Sequence, residues 1–218
     1  TASHCVLACH NNLIPHLCPE MSEQQKAGLS YGVRSPFVYA NVLLNNGQAF
    51  SKLNLTFTHC PHDAFQWVSS APTTSNGGYE PPRGPEDPMA VFMMGSPTPA
   101  VEGSSARELC RAGRYKIYST TFAQYEAQIR QQLQSLLGQY GFDHETDIQA
   151  ITVNRIPHGY AYSYLGLDDP EWEEGKAPHE IGRAQFGRIS IANSDSEATP
   201  LMDAAFDAAW RAVAEQTA

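Results

Sequence analysis

The sequence predicts a mixed fold of helices and strands, of the α/β or α+β class. Alternating apolar residues over Ile148–Ile156 and a β-branched and aromatic run at Phe37–Leu44 both indicate strands. Apolar residues at helical spacing over residues 121–137 form a stripe opposite Gln, Glu and Arg, which indicates an amphipathic helix. Because strands and helices interleave irregularly and no repeat is present, a mixed fold is favoured over a bundle or a sandwich.

The first part of the chain predicts a strand followed by two helices. Residues 4–8 form a compact apolar run, which indicates a strand. A short helix is expected over residues 13–17, where Pro19 limits it. Ser22 with Gln25 three residues later is a capping-box pattern, and the helix that it begins is expected to continue to about Val33.

The middle of the chain is rich in loops. Residues 89–94 are typical of a buried strand, and shorter strands are expected at residues 53–58 and 64–69. Pro, Gly, Thr and Ser are dense over residues 73–88, which predicts a long surface loop. A short helix is expected over residues 105–112.

The last part of the chain predicts an aromatic strand and then a strand, a loop and a helix. His158, Tyr160, Tyr162 and Tyr164 alternate, so they are expected to share one face of a strand. A β-branched run over residues 187–192 precedes the turn-forming sequence Asn-Ser-Asp-Ser. A helix is then expected, with apolar residues at helical spacing: Met202, Ala205, Phe206, Ala209, Trp210 and Val213. Taken alone, this is an ordinary strand–loop–helix corner, although its loop–helix junction suits an anionic cofactor group.

Composition restricts the classes of function. A net charge of -9 over 218 residues argues against nucleic-acid binding, and no apolar run is long enough to span a membrane. We therefore expect a soluble protein. Composition does not fix its compartment, and a bacterial cytoplasm and a periplasm stay open as alternatives. The five cysteines are irregularly spaced, which argues against a disulfide framework.

Two isolated patterns suggest other chemistry. His59, Cys60 and His62 lie within four residues and are weak candidates for metal or haem ligands, because no second ligand pair accompanies them. Thr1 is a candidate N-terminal nucleophile, although nothing else in the sequence indicates a self-processing hydrolase.

The closing segment resembles the C-terminal flavin-binding segment of FAD-dependent amine oxidoreductases. In that family a strand ends in a small-residue loop with an acid, and a Met-Asp-Gly-Ala-like turn begins the last helix; residues 191–195 and 201–205 match these positions. The wider sequence is similar to spermidine-dehydrogenase-like flavoproteins. The sequence segments that carry this resemblance are residues 4–9, 14–20, 38–42, 151–155, 157–162 and 177–183.

The resemblance implies that the chain is the C-terminal part of such an enzyme. The family's Gly-x-Gly-x-x-Gly motif is absent from these 218 residues, so the half of the FAD site that holds the pyrophosphate is expected on a preceding segment or a partner chain. Residues 1–10 would be a strand of the incomplete Rossmann-like FAD domain, residues 11–185 the substrate domain, and residues 186–218 the FAD-binding strand, loop and helix.

The resemblance also implies roles for particular residues. Asn193 and Asp195 in the loop, and Leu201, Met202 and Asp203 at the last helix, would contact FAD. Asn154, His158, Tyr160 and Tyr162 would face an amine substrate, which an aromatic wall can hold by cation–π contact. Haem is a further possible cofactor, since some relatives carry it.

The expected function is hydride transfer from the carbon of a polyamine-like amine to flavin N5. No general base is evident in the sequence, so no catalytic residue is assigned. The alternative is a non-catalytic subunit that keeps the fold, binds a partner chain and does not bind FAD alone.

Overall fold

The computed structural model describes residues 2–70, 74–166 and 168–217. The chain divides into two compact units: unit 1 comprises Thr1–Ser35 and Tyr160–Ala218, and unit 2 comprises Pro36–Gly159. The elements in chain order are β1 (Cys5–Leu7), α1 (Ile14–Leu17), α2 (Glu23–Tyr31), β2 (Phe37–Leu44), α3 (Gln48–Leu53), β3 (Phe57–His59), β4 (Trp67–Ser70), β5 (Met89–Gly95), α4 (Ala106–Ser119), α5 (Phe122–Leu137), β6 (Ile148–Ile156), α6 (Pro178–Gly182), β7 (Ile189–Ile191) and α7 (Met202–Thr217).

Unit 2 is built on a five-stranded antiparallel sheet. Its strand order is β3-β4-β5-β2-β6, while unit 1 contains a two-stranded parallel sheet of β1 and β7. The two kinds of sheet, together with seven α-helices among the described residues, confirm the predicted mixed α/β class. The three-part domain division implied by the flavin resemblance stays a prediction.

The core of unit 2 lies between one face of the sheet and α5. Alternate residues of β2 are buried, and they meet the apolar stripe of α5. The side chains in this layer are Val38, Ala40, Val42, Leu44, Tyr125, Ile129, Leu133 and Leu137. Each fully buried aliphatic side chain of this kind contributes roughly 1.5–3 kcal/mol.

Two capping boxes fix where α4 and α5 begin. Gln124 N–H donates to the Thr121 hydroxyl at 3.2 Å, and Thr121 N–H donates to the Gln124 side chain at 2.8 Å. Ser105 and Glu108 make the same reciprocal pair at α4. The predicted helix over residues 121–137 is therefore confirmed, with Thr121 as its cap.

Helix α4 is longer than the prediction of residues 105–112. It continues through Gly113 to Ser119, and Gly113 lies where the helix packs closely against Pro36 and Thr98. A Cβ on Gly113 would lie 2.7 Å from Pro36 Cγ. Gly113 is thus a packing residue inside the helix.

Other predictions need correction. Helix α3 covers Gln48–Leu53, so the expected strand over residues 53–58 is reduced to Phe57–His59. The expected aromatic strand over residues 158–164 is wrong, because this segment has no strand pairing and begins in a turn at Pro157 and His158. Strands β5 and β6 and helix α7 lie where they were predicted.

Unit 1 brings together segments that are distant in sequence. Strand β1 pairs with β7 in parallel, Val6 opposite Ser190. Beside this pair, Ile14, Cys18, Met21, Leu29 and Ile191 form a small buried core.

Helices α2 and α6 approach closely through glycines. A Cβ on Gly28 would lie 2.5 Å from the Pro178 carbonyl oxygen and 2.9 Å from Gly182 N. Ser22 caps α2 as predicted, but the Gln25 side chain does not return to the cap. It donates instead to the carbonyls of Gly182 and Ala184.

Helix α7 buries a face of alanines and exposes its large apolar side chains. Ala204, Ala208 and Ala212 are buried, whereas Met202, Phe206 and Trp210 are 76%, 68% and 81% exposed. The helical spacing was thus interpreted correctly, but the stripe that produced it faces solvent. We call Met202, Phe206, Trp210 and Val213 the α7 apolar stripe.

No helix in the described part of the chain has the length and hydropathy needed to cross a bilayer.

Candidate functional site

The loop that follows β7 is anchored to the segment that follows β1. Asn193 caps a short 3-10 turn, Ser194–Glu197, by accepting a hydrogen bond from Ser196 N–H at 3.0 Å. Its amide nitrogen donates to the Cys9 carbonyl at 2.7 Å and to the Asn11 side chain at 3.0 Å. Small polar residues are common as caps of such turns, because their side chains can bond to backbone groups that would otherwise lack a partner.

Asp195 is held in an almost buried ion pair. Arg34 reaches its two carboxylate oxygens at 2.8 and 3.1 Å, and Asn11 N–H donates to it at 3.1 Å. The side chains of Asp195 and Arg34 are only 13% and 16% exposed. His10 Nδ1 lies 3.9 Å from the same carboxylate. The carboxylate is therefore occupied by partners within unit 1.

Four aromatic rings in unit 1 form a packed cluster. Tyr31 and Tyr162 have centroids 6.4 Å apart, Tyr162 and Tyr164 6.0 Å, and Tyr164 and Trp172 4.6 Å. The hydroxyls of Tyr31 and Tyr162 donate to the two oxygens of Asp169, each at 2.6 Å. We call Tyr31, Tyr162, Tyr164, Trp172 and Asp169 the aromatic cluster.

This arrangement raises the pKa of the two phenols and lowers the pKa of the carboxyl. Burial and the hydrogen bond to Asp169 raise the pKa of Tyr31 to about 12, and the same causes raise the pKa of Tyr162 further. Burial alone would raise the pKa of Asp169, but hydrogen bonds from Tyr162, Tyr31 and Leu165 N–H lower it. Asp169 is therefore an anion that two phenols solvate.

His179 extends the aromatic cluster, and the sequence analysis did not identify it. Its backbone N–H donates to the Tyr164 hydroxyl at 3.1 Å, and that hydroxyl lies 2.9 Å from His179 Nδ1. When the proton of the neutral imidazole is on Nε2, Nδ1 accepts a hydrogen bond from the Tyr164 hydroxyl, which itself accepts from the backbone N–H. Burial, with Arg183, lowers the pKa of His179 against the opposing effect of Glu180 and Glu197.

A small cavity lies among these groups. Its volume of about 20 Å³ is enough for one water molecule and too small for a whole amine substrate. The lining side chains that carry polar atoms are Asn11, Tyr31, Tyr162, Tyr164, His179 and Asp195.

The other predicted substrate residues are not gathered in this cluster. Tyr160 is 53% exposed, and the shared strand face expected for His158, Tyr160 and Tyr162 does not exist. Asn154 lies on β6 of unit 2, opposite Tyr39 of β2. His158 also belongs to unit 2.

The predicted cofactor residues at α7 are exposed. Leu201 and Met202 are exposed, and Asp203 accepts a hydrogen bond from Ala204 N–H at 2.9 Å. Leu201, Met202 and Asp203 thus form an accessible helix start, while Asn193 and Asp195 are engaged in the adjoining loop.

The metal-like sequence does not form a ligand set. Within residues 2–70, 74–166 and 168–217, no group of three or more His, Cys, Asp or Glu side chains is arranged to hold a metal ion. Cys60 packs against the core of unit 2, while His59 and His62 are exposed. Thr1, the candidate nucleophile, lies outside the described residues.

Arg34, Asp169 and His179 are the residues that sequence reasoning missed. No role was assigned to Asp169 from the sequence, and its partner Tyr31 is 138 residues away. Only Asp169's position soon after alternating tyrosines could have drawn attention to it.

The fold of this chain is similar to part of several solved amine oxidases. Putrescine oxidase bound to putrescine is similar at a TM-score of 0.58 and 13% identity, over 98% of this chain and 42% of that one. Cyclohexylamine oxidase from Brevibacterium oxydans IH-35A is similar at a TM-score of 0.65 and 10% identity, over 99% and 42%. At these identities the likeness concerns the fold, and the chain spans about two fifths of the length of those proteins.

Comparison by sequence adds nothing to this: no protein-family model matches the chain, and no curated protein matches it.

Proposed function

We propose that the chain is the C-terminal part of an FAD-dependent amine oxidoreductase. The observation that carries the proposal is the fold match, which extends over 98–99% of this chain but only 42–43% of the putrescine and cyclohexylamine oxidases. Both proteins oxidise amines according to their names. The finer resemblance to spermidine-dehydrogenase-like flavoproteins rests only on the sequence segments named above.

The proposed partner is a polypeptide segment that carries the Gly-x-Gly-x-x-Gly half of the FAD site. Within the described residues, β1 and β7 pair with each other and with no further strand. Parallel strands normally occur in larger sheets that helices cover on both faces. The α7 apolar stripe adds an exposed apolar surface beside this pair, of the kind that marks an interaction site.

The chain's own residues fit a contact with FAD through the loop and the helix start. Asp195 is paired with Arg34, so we assign it the role of holding the loop, with Asn193, in a fixed conformation. The exposed start of α7, at Leu201, Met202 and Asp203, offers backbone N–H groups and a positive dipole end. A bound FAD supplies a hydride acceptor for the substrate carbon that bears the amine.

The proposed substrate is a small, polyamine-like amine. Aromatic rings and carboxylates attract ammonium groups, and Tyr160 presents an exposed ring close in sequence to Tyr162 of the aromatic cluster. His158 and Asn154 stay proposed substrate contacts. Haem is the weaker cofactor proposal, since no described ligand set favours it.

The test is co-expression of this chain with a polypeptide that carries the Gly-x-Gly-x-x-Gly half. We expect a complex that co-purifies, is yellow, and is bleached by an amine in the absence of oxygen. The matched variants are Trp210→Ser, which removes a side chain of the α7 apolar stripe, and Tyr115→Ser, which removes a similarly exposed aromatic ring from α4.

The outcomes separate the two candidate functions. If Trp210→Ser lowers flavin retention and Tyr115→Ser does not, the stripe is the partner surface of an enzyme. A stable complex that is colourless in the presence of excess FAD would support the alternative, a non-catalytic partner-binding subunit. A chain that forms no complex and stays colourless would eliminate the enzyme proposal.

A further inference from the structure

One carboxylate in unit 1 is shared by two arginines from different parts of the chain. Glu197 ends the 3-10 turn Ser194–Glu197, and its Oε2 accepts a hydrogen bond from Arg183, which directly follows α6. Its other oxygen, Oε1, lies 3.7 Å from Nε of Arg211 in α7. Each of the three side chains has less than a quarter of its surface exposed, so solvent screens these charges only in part.

The two arginines also bind backbone carbonyls. Arg183 donates to the Ser196 carbonyl at 3.1 Å, within the turn, and Arg211 donates to the Ile191 carbonyl at 2.6 Å, at the end of β7. A guanidinium can bond to several acceptors at once because its donors form a rigid fork. The network therefore connects β7, the turn and both helices within unit 1.

The link between this turn and α7 is short and stiff. It consists of residues 198–201, and Ala198 has a left-handed backbone with a φ of 48°. That conformation is costly for a residue with a Cβ, and it persists only where the surroundings hold it. Thr199 is restricted because it precedes Pro200, whose own φ is fixed, and its hydroxyl donates to the Glu197 carbonyl at 3.0 Å. A displacement of the turn is therefore transmitted to the start of α7.

We propose that Glu197 is a positioning residue that fixes where α7 begins, and hence where the chain presents Leu201, Met202 and Asp203 to the cofactor. The statement about α7 concerns the chain alone, whereas the statement about the cofactor rests on the proposed function. Glu197 acts through the turn and the link, since its own carboxylate is occupied by the two arginines.

The first test is hydrogen exchange of the chain alone, measured at the amides of residues 205–208. The hydrogen bond from Ala205 N–H to the Leu201 carbonyl belongs to this first turn of α7. Glu197→Gln keeps the size of the side chain and removes its charge. We expect these amides to exchange about tenfold faster, while the amides of α2, elsewhere in unit 1, change by less than about twofold.

Glu215→Gln is the matched control. Glu215 also binds Arg211, at 2.5 Å, and is about as exposed as Glu197, but it lies in α7 itself, so its loss leaves the Arg183–Glu197 pair intact. We expect it to change exchange at residues 205–208 by less than about twofold.

A milder variant keeps the test valid if Glu197→Gln does not fold. Arg183→Lys preserves the charge and replaces the rigid fork by a flexible point charge. It is expected to act in the same direction as Glu197→Gln, with exchange at residues 205–208 about threefold faster.

The second test is the midpoint potential of FAD in the complex with the polypeptide that carries the Gly-x-Gly-x-x-Gly half. The positive end of a helix favours negative charge on the reduced flavin. We expect Glu197→Gln to weaken this preference by about tenfold, which lowers a two-electron potential by about 30 mV. A residue with only a structural role would reduce the amount of FAD retained without changing the potential of the FAD that stays bound.

Three results would overturn the proposal. Exchange becomes faster to the same extent in α2 and α7; or Glu215→Gln has the same effect as Glu197→Gln; or bound FAD keeps its potential in Glu197→Gln although residues 205–208 exchange faster. A wild-type complex that retains no FAD would instead eliminate the proposed function, and exchange in the chain alone would still decide whether Glu197 positions α7.

Discussion

At the scale of single residues, the best-defined group in unit 1 is Asp195. The sequence places it in a turn and suggests a cofactor contact, but it does not reveal Arg34, which is 161 residues away. Removing one member of a buried ion pair costs more than the pair itself contributes, because the other charge is left without compensation. The structural role of Asp195 can therefore be measured without any cofactor.

We expect Asp195→Asn to lower the free energy of unfolding by about 3 kcal/mol, the lower end of the range for a broken buried pair, since both side chains keep slight exposure. The double variant Asp195→Asn, Arg34→Gln is expected to lose less than the sum of the two single changes. Urea denaturation of the four proteins gives the coupling energy. Glu80→Gln, in the exposed pair with Arg83, is the control and should change little. Additive effects in the cycle would contradict the assigned pairing.

His179 predicts a pH dependence of stability. Its folded-state pKa is lowered, so below its unfolded value of about 6.5 the unfolded chain takes up a proton more readily than the folded one. The neutral imidazole of His179 therefore contributes its full stability above about pH 6.5. This contribution is lost as the pH falls from there through the lower pKa of the folded state.

We expect His179→Gln to remove this part of the pH dependence, as measured by urea denaturation at a series of pH values. His62→Gln, on an exposed loop, should preserve it. Asp169 acts in a separate, more acidic window, because its pKa is that of a carboxyl and is lowered. An unchanged profile in His179→Gln would show that the imidazole is not held in its neutral form.

At the scale of elements, the sequence predicted the helices and strands that have strong periodicity or clear caps. Helix α5 and strand β6 were predicted because each has an uninterrupted period and a defined end, at Gly138 and Pro157. Helix α3 was missed because it has six residues and no side-chain cap. The aromatic segment after Pro157 alternates like a strand, but its tyrosines bond to Asp169 and His179 instead of entering a ladder.

The close approach of α2 and α6 predicts that Gly28 tolerates no side chain. A Cβ there would lie 2.5 Å from a backbone oxygen, which cannot move aside as a flexible side chain would. We expect Gly28→Ala to destabilise unit 1 by roughly 1–3 kcal/mol, although alanine favours helices.

Stability is measured by thermal or urea unfolding, and the amides of α2 are compared by hydrogen exchange. Gly84→Ala is the matched control, because nothing lies within 4 Å of its added Cβ. Equal stability of the two variants would mean that the helices are not in this close contact.

At the scale of the whole molecule, the sequence could indicate the fold class but not which surfaces stay uncovered. The α7 apolar stripe has the spacing of a core-facing helix, and periodicity alone does not tell whether its partner belongs to the same chain. The resemblance to flavin enzymes led us to expect a partner polypeptide. Phe206 and Trp210 are exposed, and the partner that would cover them stays a proposal.

We expect the chain alone to bind an apolar dye such as ANS and to have limited solubility. Phe206→Ser with Trp210→Ser should reduce dye binding without lowering the free energy of unfolding, because neither side chain packs in the core. Ala208→Ser, on the buried face of α7, should lower the free energy of unfolding without reducing dye binding. Dye fluorescence and urea denaturation measure the two effects, and a large loss of stability in the double variant would place the stripe inside the fold.

The pairing of β1 with β7 has a consequence for biosynthesis. Unit 2 is one uninterrupted stretch and can fold as soon as it leaves the ribosome. Unit 1 cannot, because Asn193 must return to Cys9, 184 residues earlier, before its small core closes. Throughout that interval Ile14 and Leu29 lack their partner Ile191, so the nascent chain carries an open apolar segment that a chaperone can bind.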